Sequence, residues 1–188
     1  MPNSKCYYET NIDCTNILNN EFVLPIVNTT RRYLWQYPVN KILDRDWINY
    51  ISGLGLDPSF IMLFYKYANQ NDSHAHIDGG GERFGLNLQL SGVGSEMIWY
   101  DQPDIESEVQ TTILNTPYTS YPISLLVELN RKQLPIGKIS IIRVDIPHAV
   151  KVSDESRWCI SMRCKQKFNT WDDTVEYLSN KGLLNQNS

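Results

Sequence analysis

The chain has 188 residues, 41% of them hydrophobic and 20% charged, with a formal net charge of -4 at pH 7. That is the composition of an ordinary globular domain, and no apolar run reaches the roughly 18 residues that a membrane-spanning helix needs. The acidic balance speaks against a broad electrostatic footprint for nucleic acid, although it does not bear on a local basic groove.

The opening stretch MPNSKCYYETNIDCTNILNN is polar and lacks basic residues followed by an apolar core, so no secretory signal is expected and a cytoplasmic location is. Cys6, Cys14, Cys159 and Cys164 show no C-x-x-C spacing, which predicts free thiols. Across the first forty residues, Pro25 and Pro38 break up short apolar pieces, predicting irregular structure with one or two edge strands. From Asn40, Ile42, Leu43, Trp47, Ile48 and Ile51 recur at three- and four-residue spacings, as on a helix covering a core, and Gly53 and Gly55 end it. After Pro58, FIMLFYKYA has the aromatic and branched content of a strand. Arg83 to Leu90 alternates strictly, with Phe84, Leu86, Leu88 and Leu90 on one face and Arg83, Gly85, Asn87 and Gln89 on the other, which predicts a half-buried strand. Further strands are expected at MIWY, SLLVEL, ISIIRVDI and RWCISMRC. Thr170 is placed to cap a last helix through Trp171, Val175 and Leu178, stopped by Gly182. The expectation is a mainly β single domain, a sandwich or barrel. Its barrel core spans about 60–165, with 1–59 as an N-terminal support containing the helix and 166–188 as a C-terminal helix and tail.

Chemistry concentrates in HAHIDGGGERFGLNLQLSG, because the chain holds only three histidines, His74, His76 and His148. On a strand, residues i and i+2 share a face, so His76 and Asp78 point the same way, and His148 completes the set by facing them across a barrel. Two histidines and one carboxylate with open positions opposite them form the facial triad of non-haem Fe(II) oxygenases. The glycines 79–81 lack the lysine and helix start of a phosphate loop; they predict a flexible loop beside the metal. Other metal readings use the same residues. His74, His76, Glu82 and His148 resemble a cupin ligand set with too long a glutamate spacing. A dinuclear H-x-H-x-D site fails because Gly79 stands where the next histidine should be, and the cysteines lack the paired spacing of structural zinc.

Arg157 follows His148 by nine residues, on the strand RWCISMRC. With it, the ordered set His76, Asp78, His148, Arg157 resembles the Fe(II)/2-oxoglutarate-dependent dioxygenases, closest to their prolyl-hydroxylase-like and aspartyl/asparaginyl-hydroxylase-like branches. The resemblance covers about residues 60–165 and implies a double-stranded β-helix, or cupin-like jelly roll. It further implies iron held by His76, Asp78 and His148 as metal-binding and catalytic residues, with 2-oxoglutarate and O2 as cosubstrates and ascorbate as a stimulant. Arg157 would pair with the far carboxylate of 2-oxoglutarate, a guanidinium fork being suited to two parallel charge-assisted hydrogen bonds. Tyr67, nine residues before His76, would be a cosubstrate hydrogen-bond donor, and Asn87 would bind the keto-acid end. Arg163 shares the strand parity of Arg157 but lies six residues, some 20 Å, further along, which predicts a surface position. The implied activity is hydroxylation of a C–H bond in a peptide, protein or small molecule, with no nucleic acid or membrane partner. The alternatives are a cupin-type metalloenzyme that does not use 2-oxoglutarate and a non-catalytic jelly-roll binding or structural protein. Substrate contacts are expected from the first sixty residues and from the loop DQPDIESEVQTTILNTPYTSYP, where Tyr118 and Tyr121, with Trp99 and Tyr100 just before it, are candidates for a pocket.

Overall fold

The structure is a computed structural model that describes residues 5–27, 33–79, 81, 83–102, 104, 107, 109–112, 114–165 and 168–185. Its elements in chain order are β1 (Tyr7–Glu9), β2 (Tyr33–Tyr37), α1 (Val39–Ile42), α2 (Arg45–Gly53), β3 (Pro58–Lys66), β4 (His74–Asp78), β5 (Phe84–Gln89) and β6 (Glu96–Tyr100). There follow β7 (Val109–Thr111), β8 (Pro117–Pro122), β9 (Glu128–Gln133), β10 (Ile139–Arg143), β11 (His148–Lys151), β12 (Arg157–Cys164) and α3 (Trp171–Asn180). Among the described residues the fold is mainly β. Two six-stranded antiparallel sheets run in the orders β1-β10-β5-β12-β3-β2 and β7-β8-β4-β11-β6-β9. The expected barrel is not closed: β1 and β2 are the edges of one sheet, β7 and β9 of the other, and the sheets meet through side chains instead of hydrogen-bonded strands. The expected edge strands in the first forty residues are β1 and β2.

The alternation in β5 explains how this sandwich is filled. Phe84, Leu86 and Leu88 join Ile139 and Ile141 of β10 and Ile160 and Met162 of β12 in one apolar cluster. Trp47 and Ile51 of α2 and Trp171 and Leu178 of α3 cover that cluster, so the main core lies outside the first sheet, beneath the helices. Each such side chain contributes about 1.5–3 kcal/mol by leaving water. The opposite face of β5, with Gly85, Asn87 and Gln89, looks toward the second sheet. All six β5 residues are buried, so the strand is covered on both sides rather than half-exposed. A smaller apolar cluster joins Tyr7 and Ile142 of the first sheet to Met97, Trp99 and Val150 of the second.

Local sequence accounts for most element ends. The helix expected from Asn40 is divided, because Leu43 is extended and Asp44 accepts the backbone N–H groups of Asp46 and Trp47 as an N-cap. α3 opens on a capping box between Thr170 and Asp173 and ends where Gly182 takes φ +68°. The strand expected at SLLVEL is displaced: Ile123–Leu125 form a 3-10 turn and β9 begins at Glu128. The loop expected to contact substrate contains the hairpin β7–β8, whose Thr- and Tyr-rich pairing has little hydrophobic alternation to announce it. No helix among the described residues is long and apolar enough to cross a membrane.

Candidate metal centre

β4 presents His76 and Asp78 on its inner face, while Ala75, just before them, is fully buried on the other. β11 pairs with β4 in a register that puts His148 opposite His76, with ring centroids 4.4 Å apart. The distal histidine therefore arrives on the neighbouring antiparallel strand and not across a barrel. One ligand atom from each of His76, Asp78 and His148 lies within 4.8 Å of the others, and His76 Nε2 is 3.5 Å from Asp78 Oδ1. Donors on one ion sit about 2.0–2.2 Å from it, so a small inward adjustment brings this set onto a single cation.

The surroundings prepare each ligand. His148 Nδ1 donates to the Ile146 carbonyl at 3.0 Å, which leaves Nε2 as the acceptor that a metal needs. Burial lowers the pKa of His148 despite the nearby Asp78 carboxylate, so the ring is neutral at physiological pH. Burial would raise the Asp78 carboxyl, but Arg163, His148 and His76 outweigh it and hold that group at about 2. Asp78 Oδ2 accepts from Arg163 Nη2 at 2.5 Å, leaving Oδ1 turned toward His76.

Arg163 is thus not at the surface. It is buried, and its parity with Arg157 carries it to the inner face of β12, where the second sheet supplies Asp78. Gly85 makes room for it, since a Cβ there would lie 2.7 Å from Arg163 Nη1. Gly79 has a comparable role at the end of β4: a Cβ would meet the Pro117 carbonyl at 2.3 Å, so this glycine serves a close approach to β8 rather than loop flexibility.

Behind the triad lies a narrow cavity between the sheets, whose walls include Lys66, Asn87, His148, Arg157, Ser161 and Arg163. Four buried polar atoms on its first-sheet wall lack a hydrogen-bond partner: Asn87 Oδ1, Ser161 Oγ, Arg157 Nη2 and Arg163 Nη1. Interiors leave few such groups unmatched, because each costs about 1–3 kcal/mol. Asn87 is accordingly a cavity residue and not a solvent-facing amide. Arg157 is 3% exposed, and its Nε donates to Gln89 Oε1 at 3.2 Å. Among the described residues no carboxylate pairs with it. Lys66, by contrast, is matched by Asp72, whose Oδ2 also accepts from Val150 N–H.

Lys66 is the residue that sequence reasoning passed over. Its signal was parity, for it follows Met62 and Phe64 at two-residue spacing on β3 and so shares their inward face. Tyr67, one position later, is off that strand. Its ring packs edge-on against Tyr65 at 4.9 Å, and it is not among the described residues that border the two cavities beside the triad. His74 is exposed, with Nδ1 beside Ser73 Oγ, and stays outside the ligand cluster. Glu82, the remaining cupin candidate, lies outside the described residues. Trp99 is core, its Nε1 donating to the Arg143 carbonyl, and Tyr100 and Tyr121 are buried. Tyr118 alone of those four aromatics borders a second, outer pocket, which also touches His76, Asp78 and Arg163.

No family model matches the sequence, and no curated protein matches it. Among solved structures the chain is similar to the X-ray structure of E. coli ycfD, with a TM-score of 0.34 and 11% identity. That match covers 64% of this chain and 30% of the other, a likeness too slight to inform fold or function.

Proposed function

We propose that this protein is an Fe(II)- and 2-oxoglutarate-dependent oxygenase, a hydroxylase on a double-stranded β-helix. The observation that carries the reading is Arg157: a buried guanidinium with Nη2 unpartnered and no carboxylate among the described residues to match it, in a cavity that also touches two of the three clustered candidate ligands. An uncompensated buried charge is costly, and the far carboxylate of a dianion held at the metal, reaching into this cavity of about 40 Å³, removes the cost. The donor set also fits, since two imidazoles and one carboxylate suit Fe(II) while leaving positions for other ligands.

When bound together, iron, 2-oxoglutarate and O2 supply the oxidation: 2-oxoglutarate and O2 give succinate, CO2 and one oxygen atom inserted into a substrate C–H bond. The chain's own residues bind and orient. His148 is kept neutral and directed by Ile146, and Asp78 is kept ionised and directed by Arg163. Arg157 holds the far carboxylate through its open Nη2, and Asn87 and Ser161 offer further polar contacts along the wall. The sheets on either side exclude bulk water from the chelating end. A cytoplasmic location belongs to the same proposal, because Cys6, Cys14, Cys159 and Cys164 are free thiols, as a reducing compartment keeps them.

The test is an anaerobic titration of Fe(II)-loaded protein with 2-oxoglutarate, followed by visible absorbance, and then succinate release in air with ascorbate present. A saturable chelate band and slow succinate formation are expected. Protein that loads iron yet neither binds 2-oxoglutarate nor forms succinate would end this reading.

A further inference from the structure

The outer pocket lies on the other side of the triad from the cationic cavity, between β2–β3 of one sheet and β7–β8 of the other. Phe64, His76 and Arg163 border both spaces, so the two meet at the ligand cluster. The apolar walls of the outer pocket are Leu34, Phe60, Met62, Phe64, Pro117 and Tyr118, with Thr112 and Thr116 at the turn between β7 and β8. On β3 the difference between faces is informative. Ile61 and Leu63 are fully covered by the main core, whereas Phe60 and Phe64 keep part of their rings uncovered toward the pocket. Large apolar side chains left open beside a metal cluster mark a surface that something apolar covers.

Charge narrows the occupant. Among the described residues that line this pocket, Asp78 and Arg163 are the formally charged pair, and they neutralise each other. A charged group entering would lose its hydration and meet no unpaired counterion among those described residues. Size narrows it further. The pocket measures about 160 Å³, close to the roughly 150 Å³ of an engineered cavity that accepts benzene and below the roughly 300 Å³ at which whole-ligand sites begin. It therefore takes one group and not a whole substrate. A polar trough of about 370 Å³ adjoins it, sharing His76 and Tyr118 and bordered by Asp72, Ser73, His74, Gln110 and Ser120.

We infer that the substrate inserts a single uncharged apolar group, of leucine to phenylalanine size, into the pocket formed by β2–β3 and β7–β8. Its polar remainder lies along the trough at Gln110 and Ser120. The inference rests on the oxygenase reading, which makes the C–H bonds of the inserted group the ones presented to the metal.

The four methionines of the chain make the test separable. Met62 lines the outer pocket, Met97 lines the inner cavity, and Met162 is buried in the core on the far face of the sheet. Methionine-methyl NMR on protein loaded with Zn(II) and 2-oxoglutarate reads both spaces. N-acetyl-leucinamide and N-acetyl-phenylalaninamide should shift the Met62 methyl saturably, leaving Met162 unmoved. N-acetyl-lysinamide should bind at least about tenfold more weakly, since its charge would be buried unpaired, and N-acetyl-glycinamide should not move Met62 at all. Leu34→Trp, on an edge strand, should fill the pocket and abolish the response while Met162 reports an intact core. A Met62 methyl that ignores both apolar probes, answers the lysine probe equally, or still responds in the Leu34→Trp protein would overturn the inference while leaving the oxygenase reading in place. A Met97 methyl that ignores Zn(II) with 2-oxoglutarate would instead remove the reading on which the inference stands.

Discussion

Replacing Arg157 with Met should make the cosubstrate-free protein no less stable while nearly eliminating 2-oxoglutarate binding. In the free protein this guanidinium is 3% exposed, donates to Gln89 Oε1 at 3.2 Å and leaves Nη2 without a partner. Exchanging buried ionic groups for apolar ones of similar volume is neutral to stabilising by about 1–4 kcal/mol. Gln89 keeps its Nε2 bond to the Gly92 carbonyl at 2.9 Å but loses the donor to Oε1, and this one orphaned acceptor is offset by removal of the unpartnered Nη2 and its buried charge. At this chain length each kcal/mol moves the midpoint of thermal unfolding by about 2–4 °C, and the variant's midpoint should equal or exceed that of the unaltered protein. With 2-oxoglutarate present the order reverses. Two charge-assisted hydrogen bonds are worth about 1.5–3 kcal/mol each, so affinity should fall roughly 100-fold or more. Ligand at 100 times its Kd stabilises the unaltered protein by about 2.7 kcal/mol, and that gain should vanish in the variant. Urea unfolding of both proteins with Zn(II), with and without 2-oxoglutarate, measures all four states. A variant that is 2 kcal/mol or more less stable without cosubstrate (a loss on the scale of a broken buried ion pair) would refute the reasoning, as would one that binds 2-oxoglutarate unchanged.

Asp78→Ala should abolish tight metal binding in calorimetric titration and destabilise the metal-free protein by about 3–5 kcal/mol, because it leaves Arg163 buried without its partner. The pH dependence has a definite sign. The folded Asp78 carboxyl titrates at about 2 against an ordinary 3.8, so its contribution, on the order of 2 kcal/mol, is complete above 3.8 and is lost as pH falls through 2. Acid unfolding of metal-free Asp78→Asn should lack that component; an unchanged pH profile would show that the pair does not stabilise the fold. Gly85→Ala should displace the Arg163 guanidinium, which its Cβ would approach to 2.7 Å. Metal affinity should then drop about 10–100-fold, with a smaller fall in urea midpoint than Asp78→Ala causes, because the guanidinium, the end of a flexible side chain, shifts but keeps its carboxylate partner. Gly79→Ala meets backbone at 2.3 Å, and should cost about 1–3 kcal/mol in the same unfolding assay by forcing β4 and β8 apart.

Several features could be read locally because they depend on neighbours in the chain. The α3 cap at Thr170 and its stop at Gly182 are contained within a dozen residues. The spacing of His76 and Asp78 places them on one strand face whatever that face meets. The hairpin β7–β8 was unreadable for the converse reason: its strands are short and polar, β7 exposed and β8 mostly half-buried, so no hydrophobic alternation marks them. Tyr67 and Lys66 show how narrow the margin is. One position of parity and the end of β3 send Lys66 into the cavity and Tyr67 toward Tyr65.

By itself the sequence determined which residues share a face: Phe84 with Leu86 and Leu88, Asn87 with Gln89, Arg157 with Arg163, His76 with Asp78. Periodicity does so because the pleat of a strand is a local property of the backbone. What covers each face was decided only by the tertiary structure. Helices α2 and α3 took the apolar side of the first sheet, leaving its polar side to be buried against the second sheet. That choice turned Arg163 from an expected surface residue into the partner of Asp78, and Asn87 into a buried wall. It also set His148 beside His76 on an adjacent strand and left Arg157 without a carboxylate among the described residues. Such pairings join residues about seventy or more positions apart, and no local periodicity can encode which of the many compatible strand registers brings them together.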